Sequence, residues 1–121
     1  MINYKETDFS KWAVEKFGKP QRRSYEGGVD VVINFTGGDT WIQTQRCMAQ
    51  GGRILTCGST AGHISEIDVR FLWHRETEVI GSRAYVPDDI VACLDFVASG
   101  RLKPVMETRL PLERAAEGIA L

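Results

Sequence analysis

Three segments of the chain share one pattern, in which a run of β-branched and apolar residues ends directly in a glycine turn. They are Val29–Gly38 (VDVVINFTGG), Gly51–Gly62 (GGRILTCGSTAG) and Thr77–Arg83 (TEVIGSR). Continuous apolar runs are typical of parallel strands that helices cover on both faces of the sheet. Small residues just past the carboxyl ends of such strands leave room for a ligand in the crevice of an open α/β sheet. The pattern therefore predicts half of a doubly wound, nucleotide-binding sheet.

The predicted sheet is parallel and three-stranded, because a strand–helix–strand order favours a right-handed parallel crossover. Its strands are Val29–Phe35, Arg53–Cys57 and Glu78–Gly81. The connecting helix begins at an N-cap, either Asp39 or Thr40, and reaches Gln50, with Gly51 placed at the C′ position.

An amphipathic helix is predicted before the first strand, over Asp8–Phe17. Thr7 or Asp8 is its N-cap and Gly18 its stop. Four apolar residues share one face at helical spacing: Phe9, Trp12, Ala13 and Phe17. The basic loop that follows contains Arg22 and Arg23, which we interpret as a solvated pair.

A second strong helical pattern begins at Pro87 and Asp88 and ends at Gly100. Its apolar face consists of Ile90, Val91, Leu94, Val97 and Ala98. Asp88 and Asp89 are interpreted as capping residues, because carboxylates favour helix N-termini. Residues 102–112 are predicted to be extended, and a final amphipathic helix begins near Glu113.

The segment Glu66–Trp73 (EIDVRFLW) partly alternates apolar and polar residues. Val69, Phe71 and Trp73 alternate with Asp68, Arg70 and Leu72, which suits a strand buried on one face. We predict a half-exposed strand or an interface strand. Trp41 and Trp73 are expected to pack in the core or at an interface.

Composition indicates one ordinary globular domain of 121 residues, with 43% hydrophobic and 26% charged residues. The net charge of −1 does not indicate a nucleic acid or an acidic membrane as partner. No apolar run approaches the roughly 20 residues that span a bilayer. The first residues lack the basic and apolar regions of a signal peptide, so a cytoplasmic location is predicted.

The residues that most often carry chemistry give no catalytic or metal site. Cys47, Cys57 and Cys93 lie far apart, without a CxxC pair or a histidine at metal-ligand spacing, so we expect reduced and mostly buried thiols. His63 and His74 have no nucleophile or orienting carboxylate at a spacing that implies a triad, so surface or packing roles are favoured.

Taken together, GGVDVVINFTGGDTW, GGRILTCGSTAG, EVIGSR and DDIVACLDFVASGRLKPVMETRLPLERAAEGIAL resemble the medium-chain dehydrogenase/reductase family. Within it, the chain is most similar to zinc-containing alcohol dehydrogenases and quinone oxidoreductases. The resemblance covers essentially the whole chain, with four landmarks in the family's order.

The resemblance implies that the chain is the carboxyl-terminal part of a longer enzyme, and that Met1–Asp8 corresponds to the third strand of its nucleotide-binding sheet and the residues after it. The expected divisions are a remnant of strand 3 with its helix over 1–28, the carboxyl-terminal half of the nucleotide-binding domain over 29–100, and a return segment over 101–121. The catalytic domain and the glycine-rich pyrophosphate turn would precede this chain. Zinc is possible in the whole enzyme, but no ligand for it is identified here.

The resemblance also implies contacts with NADP or NAD at the three strand ends. Near the adenosine part lie Phe35, Thr36, Gly37 and Gly38. Approaching the nicotinamide ribose and phosphate are Gly58, Ser59 and Thr60. The carboxamide of the nicotinamide lies beside Ile80, Gly81 and Ser82. The alternative is that these glycines only supply turn conformations that residues with a Cβ resist.

In the complete six-stranded order, Val29–Phe35 is a central strand, and without strands 1 and 2 it becomes an edge with unpaired backbone groups. We therefore expect a homo-oligomer or pairing with another chain, through this edge and through Glu66–Trp73, which in dimeric relatives forms a strand that pairs across the two-fold axis.

The leading hypothesis is the carboxyl-terminal part of an NAD(P)-dependent oxidoreductase. It would transfer hydride between nicotinamide and an alcohol or carbonyl, quinone or enone substrate, with this chain inactive by itself. The alternative is a non-catalytic dimerisation or association module. A third possibility is another doubly wound nucleotide binder, such as a methyltransferase, which titration with NADPH and S-adenosylmethionine would distinguish.

Overall fold

The computed structural model describes residues 2–83 and 85–120. The chain divides into two units, the first ending at residue 84 and the second beginning at residue 85. The elements of the first unit are α1 (Phe9–Phe17), β1 (Val29–Ile33), α2 (Thr40–Cys47), β2 (Met48–Thr56), α3 (Val69–Arg75) and β3 (Glu78–Gly81). Those of the second are α4 (Pro87–Ala98), a 3₁₀ turn (Leu112–Arg114) and α5 (Ala115–Ala120). Among the described residues, no helix is long and apolar enough to cross a membrane.

The three predicted strands lie side by side in the order β1-β2-β3, and both neighbouring pairs are parallel. Ile33 of β1 lies opposite Leu55 of β2, and Thr56 lies opposite Gly81 of β3. The α/β fold with a three-stranded parallel sheet is therefore confirmed. β1 is an edge of this sheet, as expected.

Helix α2 ends three residues earlier than predicted, and β2 begins five residues earlier. Met48 and Ala49 are buried, and Met48 lies opposite Val29 of β1, so pairing with the sheet replaces the last turn of the helix. Gly51 is consequently not a helix cap. It lies with a φ of 70° in a stretch where the β1–β2 register shifts, which is where glycine is favoured in a bulge.

The core lies between α2 and the sheet, where Trp41, Met48 and Ile54 pack together and Val32 contacts them from β1. Trp41 is therefore a core residue, as predicted. Helix α1 begins at Asp8, whose carboxylate accepts the backbone N–H of Ser10 and of Lys11. This choice of Asp8 over Thr7 satisfies two N–H groups that would otherwise have no partner.

The predicted strand over Glu66–Trp73 is wrong, because helix α3 occupies Val69–Arg75. Before the helix, the side chain of Gln45 binds both backbone groups of Asp68, with its oxygen 3.0 Å from the N–H. The Asp68 carboxylate then accepts the N–H of Arg70 and starts the helix. A local cap and a side chain from α2 therefore replace the expected strand partner.

In the second unit, α4 begins at Pro87 as predicted, and the Asp89 carboxylate accepts the N–H of Val86. The final helix is also present, as a 3₁₀ turn from Leu112 followed by α5. Taken by itself, this unit buries none of its described residues.

One expectation about side-chain burial needs correction. The three cysteines are free, but only Cys47 is buried, while Cys57 and Cys93 are exposed. Trp73 is 67% exposed and makes an edge-on contact with His74, so of the two predicted places, the core and an interface, it does not occupy the core. Ile2, Asn3 and Tyr4 form no strand, and Asn3 instead begins a turn that accepts the N–H groups of Glu6 and Thr7. Met1 lies outside the described residues.

Candidate functional site

The carboxyl ends of β1, β2 and β3 meet at one edge of the sheet, and each continues into a short loop. We call residues 34–38, 57–62 and 81–83 the first, second and third strand-end loops. Since all three strands are parallel, these loops form the kind of crevice in which open α/β sheets bind ligands. All ten residues predicted to contact a cofactor lie on these loops or directly next to them, and the topology brings them to the same edge.

Asn34 holds the first loop in shape and was not singled out from the sequence. Its side-chain oxygen accepts the backbone N–H groups of Thr36 and Gly37 at 3.1 and 3.0 Å. Its amide nitrogen donates to the hydroxyls of Thr40 and Thr44, each at 3.0 Å. The side chain is therefore fully engaged on both ends and ties the loop to helix α2.

The two threonines explain why an amide suits position 34. The Thr40 hydroxyl donates to the Gly37 carbonyl at 2.7 Å, and the Thr44 hydroxyl donates to the Thr40 carbonyl at 2.9 Å. Each hydroxyl carries a single proton. The Thr44 oxygen can therefore only accept from residue 34, whereas the Thr40 hydroxyl also lies 3.3 Å from Asn34 Oδ1 as a second acceptor. An N–H donor at position 34 satisfies the Thr44 oxygen. The sequence signal for this network is the spacing of Asn34, Thr40 and Thr44 across a strand end and the next helix.

The first and second loops are joined by backbone hydrogen bonds. Ala61 N–H donates to the Thr36 carbonyl at 2.7 Å, and Gly38 N–H donates to the Gly62 carbonyl at 3.2 Å. Thr60 reaches the Phe35 carbonyl through both its N–H and its hydroxyl, each at 3.4 Å. The two predicted contact segments therefore form one continuous surface.

Close approach of these loops requires small residues at two positions. Gly37 has a φ of +75°, and a Cβ placed on it would lie 2.5 Å from the Gly62 carbonyl oxygen. A Cβ on Gly58 would lie 3.2 Å from the Phe35 carbonyl oxygen. Gly37 thus has a turn role and a packing role. Gly58 is exposed and accessible to a ligand, whereas Gly37 is buried beneath the second loop.

The third loop is more open than the other two. Ser82 N–H donates to the Thr56 carbonyl at 2.8 Å and extends the pairing of β2 with β3. A Cβ on Gly81 would meet no atom within 4 Å. Several of the predicted contact residues are exposed along this edge: Phe35, Gly58, Ser59, Thr60, Ile80, Gly81 and Ser82. They leave room for an extended ligand.

The chemistry available at this edge is binding rather than proton transfer. Residues 34–38 and 57–62 carry no charged side chain, so they offer backbone groups, hydroxyls and the exposed Phe35 ring. Arg83 is the charged residue of the third loop. Within residues 2–83 and 85–120, no group of three His, Cys, Asp or Glu side chains could hold a metal ion. These residues fit an elongated polar ligand, and the described part of the chain carries no zinc site.

The two histidines are the remaining candidates, and neither has a catalytic partner among the described residues. His63 is exposed just after the second loop. His74 lies on α3 against Trp73, with ring centres 5.3 Å apart. The structure shows no hydrogen bond from either described imidazole to a nucleophile or a carboxylate. No acid–base residue is therefore identified at the crevice among the described residues.

The comparisons of this chain with known proteins agree on one family. A family model described as zinc-binding dehydrogenase matches residues 1–121. The crotonyl-CoA reductase of Streptomyces collinus is 30% identical over 112 residues, a match that covers 91% of this chain and 24% of that protein. The crotonyl-CoA reductase of Streptomyces avermitilis is 32% identical over 108 residues, or 88% of this chain and 24% of that protein. The chain thus spans about a quarter of the length of these relatives.

Solved structures give the same result. An NAD-dependent alcohol dehydrogenase is 31% identical with a TM-score of 0.75, and the match covers 98% of this chain and 33% of that one. The 2-octenoyl-CoA carboxylase/reductase CinF, described in complex with NADP and 2-octenoyl-CoA, is 28% identical with a TM-score of 0.73, and the match covers 96% of this chain and 28% of that one. The predicted family resemblance is confirmed by this agreement, and the chain belongs to the zinc-binding dehydrogenase family.

Proposed function

We propose that the three strand-end loops form part of the binding surface for a nicotinamide dinucleotide, NADP or NAD, in an oxidoreductase. The observation that carries this proposal is the meeting of three parallel strand ends, with the first two loops joined around Gly37. Support comes from relatives described as NAD-dependent or as bound to NADP. The substrate class is an alcohol or carbonyl, a quinone, or an activated alkene such as an enoyl thioester.

Each loop has a distinct task in this proposal. The first loop, held by Asn34, presents Phe35 to Gly38 along the adenosine part of the dinucleotide. The second loop offers Ser59 and Thr60 to the ribose and phosphate. The third loop runs Ile80 to Ser82 beside the carboxamide. When bound, the nicotinamide supplies or accepts the hydride. The residues of this chain bind and orient the dinucleotide and exclude water from one of its faces.

The binding proposal is tested by titrating the isotope-labelled chain with NADPH and following its backbone amide signals by NMR. We expect shifts concentrated at Gly37, Gly58, Thr60 and Ser82. Binding should be weak, because the sequence contains no G-x-G-x-x-G turn to hold the pyrophosphate. S-adenosylmethionine should shift these signals less at the same concentration.

Two valine substitutions, one at the end of β3 and one just before its start, make the test specific. Gly81→Val is tolerated by the fold, because a Cβ there meets open space, yet it fills the proposed path of the dinucleotide. Thr77→Val, one residue before β3, replaces a buried hydroxyl that has no hydrogen-bond partner among the described residues, and it changes little. Loss of the NADPH shifts in Gly81→Val alone supports the proposal. Equal shifts in both variants, or shifts away from the three loops, would contradict it.

Catalysis by this chain alone is expected to be absent. Hydride transfer requires a substrate held at a set distance from the nicotinamide, and no acid–base residue is identified at the crevice among residues 2–83 and 85–120. NADPH oxidation is measured by absorbance with crotonyl-CoA, a quinone and an aldehyde in turn. Turnover above the rate without protein would overturn this expectation.

The second candidate function is association between copies of this chain. Val69 and Trp73, one turn apart on α3, are 63% and 67% exposed, and β1 presents an unpaired edge in the sheet. Pairing of a strand over Glu66–Trp73 is ruled out as its mode, because these residues lead into and form a helix. Sedimentation distinguishes the outcomes: a dimer that Trp73→Ser dissociates supports association, and a monomer at all concentrations contradicts it.

The free cysteines support the further proposal of a cytoplasmic location.

A further inference from the structure

A second concave site lies at the opposite end of the sheet from the strand-end loops. It is a pocket of about 430 Å³, bounded by the loop at residues 20–22, by Gln50 near the start of β2 and by helix α3. Pockets for small metabolites commonly begin at about 300 Å³. Because Gln50 and Thr56 are six residues apart on β2, the pocket and the strand-end loops are separated by roughly 20 Å. The two sites are therefore distinct.

The lining of this pocket is rich in cationic groups. Three arginines face it, Arg22, Arg70 and Arg75, together with the imidazole of His74. The lining contains one carboxylate, that of Asp68. The arginines therefore outnumber the carboxylate by two charges. Such a lining favours an oxyanion, and a dianion would balance it.

Arg70 and Arg22 differ in how many N–H donors remain for a ligand. Arg70 binds the Asp68 carboxylate through Nε and Nη2 at 2.7–3.2 Å. No hydrogen bond from its Nη1 is formed with the described residues, so that group can serve a ligand. Arg22 is exposed and has no ion pair or side-chain hydrogen bond among the described residues, so its whole guanidinium is available.

Arg75 forms the floor of the pocket. Its Nη1 donates to the carbonyls of Gln45, Arg46 and Met48 at 2.9–3.0 Å, which caps the carboxyl end of α2. Its guanidinium also stacks on Phe71, 4.6 Å from the ring centre. Burial lowers the pKa of Arg75. An anion nearby would offset this loss of hydration, and the Phe71 ring provides an apolar wall beside the charge.

A further carboxylate, that of Glu76, lies beside the Gln50 end of the pocket. It accepts from Gln50 Nε2 at 3.3 Å and from the Tyr25 hydroxyl at 3.4 Å. Asp68, the carboxylate of the lining, pairs with Arg70. With Glu76 counted beside Asp68, the three arginines still exceed the two carboxylates by one charge.

We propose that this pocket binds the phosphate group of a small phosphorylated molecule. The phosphate lies between the Arg22 guanidinium and Nη1 of Arg70, and His74 provides a further donor. The rest of the ligand lies over Phe71. Guanidinium groups suit this role because their planar donors match phosphate oxygens in pairs.

The test uses inorganic phosphate as the probe and NMR of the 121-residue chain at constant ionic strength. Phosphate is expected to shift the amide signals of Gln21, Gln50 and Phe71 and the ring signals of His74, without shifting those of Gly37 and Ser82. Acetate, as a monoanionic carboxylate, should bind more weakly. Saturable shifts confined to the lining support the site.

Arg22→Gln is the informative variant and Arg23→Gln its matched control. Both remove one positive charge from adjacent positions in an exposed loop, but only Arg22 lines the pocket. Arg22→Gln should weaken phosphate binding about five-fold or more, whereas Arg23→Gln should change it less than about two-fold. Equal weakening by both variants would show diffuse charge attraction and overturn the proposal. So would the absence of any saturable shift in the native chain.

Discussion

The two units of the chain contain the same kinds of local feature but differ in burial. In the first unit, Met48 and Ile54 are completely buried between α2 and the sheet. In the second, helix α4 has an equally clear apolar face, yet within its unit Leu94 remains 61% exposed. The comparison shows that amphipathic spacing predicts a helix without providing its partner. The energetic value of a glycine, a polar network or a cap should therefore depend on the unit in which it lies.

The largest difference is expected between two glycines of nearly equal conformation. Gly37 has a φ of +75° and Gly100 a φ of +73°, so alanine at either position is strained by about 1 kcal/mol. A Cβ on Gly37 would also lie 2.5 Å from the Gly62 oxygen, whereas Gly100 faces open space. Gly37→Ala should cost about 3 kcal/mol in total.

Residue-resolved amide hydrogen exchange measures both costs, because it reports the opening free energy of each unit separately. If the two alanine variants lose the same amount, the backbone conformation alone decides the cost, and the close approach of the first and second strand-end loops has no energetic weight.

A smaller difference is expected between two polar side chains. Asn34→Asp keeps the acceptors for Thr36 and Gly37 but places a carboxylate oxygen against the Thr44 hydroxyl oxygen, whose proton is donated to the Thr40 carbonyl. This change should cost about 2 kcal/mol, because the group is buried.

The matched change in the second unit is Ser99→Ala. Its hydroxyl donates to the Asp95 carbonyl at 2.7 Å in an exposed position. The loss should be under about 0.5 kcal/mol, since water replaces the bond. Urea unfolding and hydrogen exchange check both values, and Asn34→Leu separates the loss of hydrogen bonds from the effect of charge.

The smallest effects concern the helix caps. Asp8→Ala removes a carboxylate that accepts two backbone N–H groups and should destabilise α1 by about 1 kcal/mol. Asp89→Ala in α4 removes one contact, to the Val86 N–H, and should cost less. If Asp89→Ala destabilised α4 more than Asp8→Ala destabilised α1, burial around the capping residue would not determine how much a cap stabilises its helix.

The Asp8 carboxyl group is also expected to make the stability of the first unit depend on pH. The Ser10 hydroxyl, and after it the backbone N–H groups of Lys11 and Ser10, hold the pKa of Asp8 below its ordinary value of 3.8. Since the folded pKa is lower than the unfolded one, the stabilisation is present above pH 3.8 and is lost as the pH falls through the folded pKa. Acid unfolding curves should show this loss in the native chain and a smaller one in Asp8→Ala.

Local signals were sufficient for much of the fold. The apolar runs of β1, β2 and β3, a cap at Thr7 or Asp8 and the Pro87 helix start are properties of a few neighbouring residues, and each element was predicted. The bounds were less accurate, because β1 ends at Ile33 rather than Phe35 and β2 begins at Met48 rather than Arg53. The same reasoning failed where a distant residue intervened. Gln45 binds the backbone of Asp68 and allows α3 to start, and pairing with Val29 draws Met48 into β2. No pattern within those segments reports such partners.

For the candidate site, the sequence alone determined that three strands end in small residues, and it predicted that these residues line a ligand crevice. Backbone conformation and steric size are intrinsic to each residue, so glycine positions can be interpreted from sequence. Only the tertiary structure decided that Ala61 and Thr36 join two loops, that Asn34 uses both ends of its amide, and that Arg22 and Arg70 line the same pocket. These are contacts between residues far apart in the chain, and they exist only because packing of the helices on the sheet brings their elements together.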